Sequence, residues 1–214
     1  MSEQTDTPEE SIDKKSIYYD QRSVALRTTQ SIYFVKEHDK ASMLGLLLNE
    51  YKKMQVVIVV KSKKKADALS VFLISKEFNA LSVHGNHRQE QQQVAAKKFN
   101  DGSLHIIITT DMILKTLALE NIKLVLSYDL PDMAQDYYNR LAFMKELGVA
   151  IALVNPEDEP LLSDIEYNMK KEIEEKVLEG FVATATPTHT NKTKKDKTKK
   201  PRHRKNKVKK EQGT

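Results

Sequence analysis

Short apolar segments rich in β-branched residues recur along the chain and predict six strands. They are SIYFV (31–35), VVIVV (56–60), ALSVH (80–84), HIIITT (105–110), KLVLSY (123–128) and VAIALV (149–154). Several are apolar at every position, which is typical of parallel strands that helices cover on both faces. The pattern therefore predicts a parallel sheet buried inside the protein.

Amphipathic stretches lie between these segments and predict helices. A charged stretch over 157–179 predicts a C-terminal helix that ends at Gly180, and 136–148 predicts a short helix that leads into the last strand. The alternation of strands and helices implies right-handed crossovers and an open α/β sheet with helices on both faces. Three of the helical stretches carry apolar stripes: Leu44, Leu47 and Leu48; Ala68, Leu69, Phe72 and Leu73; and Val94, Ala95 and Phe99.

Polar residues follow four of the predicted strands, where an open parallel sheet binds its ligands. Helix capping and turn formation explain any one of these groups by itself. Together they place hydroxyls, an amide and helix N-termini at one edge, which suits phosphate oxygens and makes a sugar-phosphate backbone a plausible ligand. The four groups are Lys61-Ser62, His84-Gly85-Asn86, Thr109-Thr110-Asp111 and Ser127-Tyr128-Asp129.

Several kinds of site have no support in the sequence. The six glycines are not spaced for a phosphate-binding P-loop or a dinucleotide fingerprint, and no H-E-x-x-H motif occurs. His84 and His87 are three residues apart, but the chain has no cysteine and offers no convincing carboxylate partner for zinc. Asp111 and Asp129 could pair as acid and base, although capping explains each more simply. We expect no metal and no cofactor.

Charge is concentrated at the C-terminus. Residues 181–214 contain twelve Lys or Arg against Asp196 and Glu211, a net charge of +10, so the total of +5 leaves 5 − 10 = −5 for residues 1–180. This asymmetry suggests a nucleic acid or another anionic partner. The basic segment has no aromatic residue, so it can contact phosphates but cannot recognise bases. We expect it to be disordered.

The same features predict the domain organisation and the location. Residues 1–29 form an acidic and mostly flexible segment, 30–180 form one domain, and 181–214 form a basic disordered tail. The N-terminus has no apolar core of a signal peptide, and the longest apolar run has six residues, far below the roughly 20 that span a bilayer. With no cysteine, the chain fits a reducing compartment. We expect a cytoplasmic protein without a membrane partner.

Four segments resemble the second (C-terminal) RecA-like domain of DEAD-box RNA helicases. In order and spacing they are QVVIVVKSKKKADALSVFL, VHGNHRQEQQQVAAKKFNDG, HIIITTD and LVLSYDLPDMAQDYYNR, and the resemblance covers about residues 30–180. The HGN turn and the closing ALVNPEDEPLLSDIEYNMKKEI are most similar to the RhlE-like subgroup. The resemblance implies a three-layer RecA-like fold. The P-loop and the D-E-A-D box of the family's first domain are not found, so we expect a degenerate helicase domain that lacks the first domain.

The resemblance assigns family motifs to individual residues. Lys61, Ser62 and Lys63 match the positions of motif IV that follow its strand. Gly85 and Gln89 match motif IVa, although Gln92 replaces the family's arginine. Thr110 and Asp111 match motif V, whose threonine faces RNA phosphate, but Ala118 stands where an aspartate would hold the nucleotide ribose. The nucleic-acid-binding residues that the resemblance implies are Lys61, Ser62, Lys63, Gly85, Asn86, Gln89, Thr110 and Lys115.

Motif VI departs furthest from the family pattern. Asn139 stands at its histidine position and Arg140 retains its first arginine, whereas Phe143 and Glu146 occupy the two positions that reach the ATP γ-phosphate. Losing such an arginine costs about 10³–10⁵ in rate, and a carboxylate would repel the phosphate. The resemblance therefore implies a chain that does not hydrolyse ATP and is not expected to bind it alone.

Three hypotheses for the function follow. The first is a non-catalytic, helicase-like protein that binds the RNA backbone with its strand-end edge and its lysine-rich tail. The second is one half of an ATP-dependent RNA helicase that needs a first domain in trans. The third is a protein-interaction module of an RNA-processing or ribosome-associated complex, including docking on a helicase.

Overall fold

The computed structural model describes residues 27–144 and 147–185, and it contains one parallel sheet between two layers of helices. The first strand is followed by a short 3₁₀ turn at Glu37–Asp39, and the sixth by another at Pro156–Asp158. The other elements, in chain order, are β1 (Thr28–Phe34), α1 (Lys40–Glu50), β2 (Val56–Val59), α2 (Lys63–Ser75), β3 (Ala80–Val83), α3 (Gln89–Asn100), β4 (Ile106–Thr109), α4 (Asp111–Leu114), β5 (Leu124–Ser127), α5 (Ala134–Ala142), β6 (Gly148–Val154), α6 (Glu159–Met169) and β7 (Glu174–Glu175).

The seven strands are ordered β3-β4-β2-β5-β6-β1-β7, and every pair is parallel. The central strands β2, β4 and β5 are buried at every position, which explains their continuous apolar sequence. One apolar cluster lies on the α1 and α2 face, and another on the α3, α5 and α6 face. The predicted three-layer open sheet is thus confirmed.

The predicted apolar stripes differ in how well they match the buried faces. All three leucines predicted for α1 are buried. In α2, Leu69 and Leu73 are buried, but Ala68 is exposed and Ala66 takes its place. In α3, Val94 is 54% exposed, so its assignment to the core is wrong. Helices on the outside of the sheet bury a narrower stripe than the apolar residues alone suggest.

The prediction of one helix over 157–179 is wrong. The helix α6 ends at Met169 because Lys170 takes a left-handed conformation with φ of 53°. The chain then adds β7 to the sheet, pairing Ser31 with Glu174. Ile173 and Leu178 belong to the apolar clusters on opposite faces of the sheet. A single helix could not bury both residues, because it would lie on one face only.

The chain beyond Gly180 remains attached to the domain as far as Thr184. Phe181 packs against the apolar cluster on the α1 face. The Thr184 amide and hydroxyl both donate to the Asp39 carboxylate, at 2.9 and 2.6 Å. These hydrogen bonds lower the pKa of Asp39. We call residues 181–184 the C-terminal strap.

Most of the predicted acidic segment 1–29 and of the predicted basic tail 181–214 lies outside the described residues, namely residues 1–26 and 186–214. Of their described ends, Thr28 and Thr29 belong to β1 and residues 181–184 form the strap. Among the helices in the described part of the chain, none is both long and apolar enough to cross a bilayer.

Candidate nucleic-acid interface

Four strands end in the same row of the sheet, which brings their following loops together. Val83 pairs with Thr109, Thr109 pairs with Val59 across the next ladder, and Val59 also pairs with Ser127. The residues after these positions therefore leave the sheet side by side. We call this the strand-end edge; it comprises 60–63, 84–89, 110–111 and 128–129.

The loops after β2 and β3 are joined by a direct hydrogen bond. The Lys63 ammonium donates to the Asn86 side-chain oxygen at 2.8 Å. A Cβ added at Gly85 would lie 3.6 Å from the end of the Lys63 side chain and 3.8 Å from Ile113 Cδ1. Ser62 caps α2 by accepting the Lys65 amide at 3.2 Å. Motifs that are far apart in sequence are thus in contact.

The turn after β3 is shaped by two histidines. His84 is buried, and its Nε2 lies 2.8 Å from the Asp67 carboxylate, whose pKa the interaction lowers. The His84 amide donates to His87 Nδ1 at 3.1 Å, and the two rings lie 4.2 Å apart. These contacts fix the turn that presents Gly85 and Asn86 to solvent. No group of three or more potential metal ligands occurs in the part of the chain that the structure describes.

Two more predicted residues lie at helix N-termini. Thr110 is the N-cap residue of α4, and its carbonyl accepts the Ile113 and Leu114 amides at 3.0 and 2.9 Å. Gln89 begins α3 and is exposed. Gln92, at the family's arginine position, donates to the His87 carbonyl at 2.9 Å, so it holds the turn rather than offering a positive charge.

Arg140 has a role in the structure that the sequence did not predict. It is 1% exposed and binds the Asp111 carboxylate with two nitrogens, both at 2.7 Å. Its third nitrogen donates to the Asp129 carbonyl at 2.7 Å. This arginine therefore connects α5 to the ends of β4 and β5.

Asp129 is the centre of a second buried network. It accepts the Lys61 amide at 3.0 Å, the Lys65 ammonium at 2.8 Å and the Lys40 ammonium at 3.5 Å. Lys40 is 1% exposed, and both lysines also contact Glu37. The roles of Lys40, Lys65 and Glu37 could not be predicted, since no local sequence pattern distinguishes them from surface charges.

The network changes the acidity of its members. Burial opposes the ionised form of Asp129, but the Lys61 amide and the two lysines outweigh it and lower the pKa of this carboxyl. Burial also disfavours the charged form of Lys65, yet Asp129 and Glu37 raise its pKa. Burial, together with the nearby Glu37 and Asp129 carboxylates, raises the pKa of Tyr128 to about 12. The carboxylate of Asp129 is therefore ionised and neutralised at neutral pH.

The remaining predicted residues lie around α5. The Lys115 ammonium binds Asp136 at 3.2 Å, and Asn139 donates to the same carboxylate at 3.3 Å. Phe143 follows α5 and packs, partly buried, against the apolar cluster. Glu146 lies outside the described residues. The structure thus brings seven of the eight predicted nucleic-acid-binding residues to the strand-end edge, and Lys115 lies beside it on the segment after α4.

The described residues thus form an open parallel α/β domain whose polar strand-end edge lies on buried ion pairs. Residues 39–142 match the family model of the helicase conserved C-terminal domain. In sequence and in fold, the described domain is similar to the second, RecA-like domain of the DEAD-box helicases. The assignment to the RhlE-like subgroup stays a prediction.

The similar curated proteins are DEAD-box helicases. The ATP-dependent RNA helicase vasa of Drosophila melanogaster is 36% identical over 119 residues, covering 56% of this chain and 18% of that protein. The ATP-dependent RNA helicase SUB2 of Candida glabrata is 33% identical over 166 residues, covering 75% of this chain and 38% of that protein. The chain spans well under half the length of these relatives.

Solved structures share the fold. A DEAD box protein from Methanococcus jannaschii superposes with a TM-score of 0.67 at 25% identity, over 72% of this chain and 43% of that chain. The Escherichia coli DEAD-box protein SrmB, bound to the regulator of ribonuclease activity RraA, gives a TM-score of 0.67 at 20% identity, over 74% and 98% of the two chains. Saccharomyces cerevisiae Dbp5, bound to RNA and ADP BeF3, gives 0.64 at 22% identity, over 70% and 41%.

Proposed function

We propose that this chain is the RNA-holding half of a DEAD-box-type helicase core. In this role the strand-end edge binds the sugar-phosphate backbone, and a first domain with a P-loop is supplied in trans or by a longer polypeptide. The observation that carries the proposal is the convergence of motifs IV, IVa and V at one edge, through the shared strand row and the contacts among Lys63, Asn86, Gly85 and Ile113.

The chemistry of the edge suits phosphate. The helices α2 and α3 start there, so their unpaired amides and helix dipoles favour an anion. Lys63 adds positive charge, and so does Lys61, although its ammonium is paired with the exposed Asp132 carboxylate at 2.7 Å. The Thr110 hydroxyl adds a donor. The one buried carboxylate beneath the edge, Asp129, is neutralised by lysines, so it repels an incoming phosphate little.

The residues present do not fit an ATP phosphate or ribose. Ala118 and Phe143 stand at two positions where the family uses an aspartate and an arginine, and neither side chain has a polar group. Phe143 is packed against the apolar cluster, and the next residue, Met144, is fully buried. A Cβ at Gly148 would clash with the Met144 sulfur, so Gly148 and Met144 are closely packed. We infer that the chain alone neither binds nor hydrolyses ATP.

The same packing favours a second candidate, a stand-alone RNA-binding protein without catalytic activity. A first domain supplied in trans would still meet Phe143 at a finger position. The two candidates share RNA binding and differ in whether a partner domain restores ATP hydrolysis.

A third candidate is a docking module for another protein. The solved relatives include SrmB bound to RraA and Dbp5 bound to Gle1. We propose that docking of another protein accompanies RNA binding in this chain, since the strand-end edge keeps the polar residues that an RNA backbone would contact.

The experiment measures RNA binding of the full chain and of Lys61→Ala, Gln89→Ala and Thr110→Val. Each variant should weaken binding, and Lys61→Ala should also lower the salt slope by about 0.7 if it removes one phosphate contact on a single strand. Lys76→Ala is the matched control, because Lys76 follows α2 at the opposite edge of the sheet. Unchanged affinity in all three edge variants would favour the docking module.

A second measurement separates the first two candidates. The chain is mixed with RNA, ATP and the isolated first domain of a DEAD-box relative, and phosphate release is followed. Release above that of the first domain alone would support the helicase half. RNA binding without any added release would support the stand-alone protein.

A further inference from the structure

A groove of about 610 Å³ runs beside the strand-end edge, between α3 and the segment after α4. One wall is the stripe of α3 that carries Gln89, Gln93 and Lys97, spaced four residues apart on one helix face. The other wall includes Thr116 and Ala118, which are exposed. This volume is within the usual range of small-ligand sites, about 300–1,000 Å³.

The floor of the groove is apolar. Ala96, Ile113 and Leu117 line it and are only 6%, 8% and 7% exposed. They offer a shallow surface that suits a thin, flat ring better than the bulky side chains of a docked helix. The groove is lined by no carboxylate, and its one charged residue is Lys97.

Its rim carries side-chain amides that are available to a ligand. In the described part of the chain, the amides of Gln89 and Gln93 make no hydrogen bond, whereas Gln92 and Asn100 are engaged with the protein backbone. A carboxamide presents a donor and an acceptor together, as the edge of a nucleobase does.

The groove is continuous with the strand-end edge. Gln89 belongs to both, since it starts α3 and lines the groove. Ile113 on the floor lies 3.8 Å from a Cβ position at Gly85, in the turn of the edge. From Gln89 to Lys97 the helix rises about 12 Å, so a strand held at the edge could continue along the groove toward a second positive charge.

We propose that this groove is a base subsite, which takes an unstacked base of the RNA whose backbone the strand-end edge holds. This inference rests on the proposed RNA binding. The base lies on Ala96, Ile113 and Leu117, and the Gln93 amide hydrogen-bonds its edge. The subsite adds direct recognition of a base to an edge and a tail that contact phosphates.

The test uses the full chain and a short single-stranded RNA, compared with the same RNA carrying an abasic riboside at each position in turn. One abasic position should weaken binding about fivefold, the loss expected from about one net hydrogen bond. Gln93→Ala should weaken binding of the intact RNA by a similar factor and leave binding of that abasic RNA unchanged. Ala118→Leu, which narrows the groove from an exposed position, should act in the same way.

Val94→Ala is the matched control, because Val94 is exposed on α3 but does not line the groove. Equal affinity for the intact RNA and every abasic RNA would overturn the subsite and leave the proposed function standing. Equal weakening of intact and abasic RNA by Gln93→Ala would also overturn it, because the amide would then contact the backbone. Failure to bind either RNA would instead overturn the proposed function.

Discussion

Replacing Arg140 tests whether this retained arginine now stabilises the fold. Arg140→Met keeps much of the apolar stem but removes the guanidinium that binds Asp111 and the Asp129 carbonyl. Breaking a buried ion pair by removing one partner costs about 3–5 kcal/mol. Asp111 is 28% exposed and can be partly hydrated, which favours the lower end. The lost hydrogen bond to the Asp129 carbonyl adds about 1 kcal/mol, so we expect a total of about 3–4 kcal/mol.

Urea unfolding followed by circular dichroism measures this effect. With a slope of about 2 kcal/mol per molar, the midpoint should fall by about 1.5–2 M. Lys115→Met is the control: it breaks an ion pair whose side chains are 51% and 33% exposed, and such pairs contribute at most about 1 kcal/mol. The double change Arg140→Met with Asp111→Leu should cost less than the two single changes added together. A midpoint for Arg140→Met within error of that of Lys115→Met would refute the structural role.

Three further predictions concern the strap, the acid stability and the tail. Thr184→Val should lower the melting temperature and speed proteolysis of the strap, because Asp39 loses its hydroxyl donor. The pKa of Asp129 is lower in the folded protein than in the unfolded chain. Its contribution to the free energy of unfolding is therefore present above about pH 4 and is lost as the pH falls through the folded pKa. Asp129→Asn should reduce that part of the acid dependence of stability, which a pH series of urea titrations measures. Deleting 186–214 should remove a slope of about −4 from the plot of log affinity against log salt concentration for single-stranded RNA, if roughly half of its twelve basic residues bind phosphates. The deletion should leave the melting temperature unchanged. A slope that survives the deletion would contradict phosphate binding by the tail.

The strands were predictable because short apolar segments of the sequence indicate their burial directly. A strand such as β2 is apolar at all four positions, and only a sheet covered on both faces makes that pattern favourable. The positions of the loops after β2 and its neighbours were predictable by the same reasoning, since parallel strands end at a common edge. The sequence and the parallel register together therefore sufficed to place Lys61, Gly85 and Thr110 near one another.

The C-terminal part was not predictable in the same way. The sequence over 157–179 is charged with scattered apolar residues, which is compatible with one helix. The helix ends early because Ile173 must be buried on one face of the sheet and Leu178 on the other. Only the position of β1, which would be the edge strand without β7, creates that requirement. The strap has the same origin, because Thr184 binds a residue 145 positions away.

The ion pairs beneath the edge could not be predicted from the sequence either. Lys40, Lys65 and Arg140 look like surface residues in the sequence, since long cationic side chains are mostly exposed. In the structure the Lys40 and Arg140 side chains are 1% exposed, whereas that of Lys65 is 39% exposed. Each is held instead by a carboxylate from a distant element: Asp129 binds the two lysines, and Asp111 binds the arginine. Such pairs become visible only when the ends of β4 and β5 are brought together.

This arrangement explains how the edge can keep its structure with Phe143 at a position where the resemblance implies an arginine. One network joins the end of β5 to β2, α1 and α2 through the Asp129 side chain, and the other joins α5 to the ends of β4 and β5 through Arg140. Neither network includes Phe143 or any described residue that follows it. The loops that would hold an RNA backbone are therefore fixed from beneath by groups that take no part in phosphoryl transfer. Changes at the position of Phe143 could remove ATP chemistry without loosening Lys61 or Thr110.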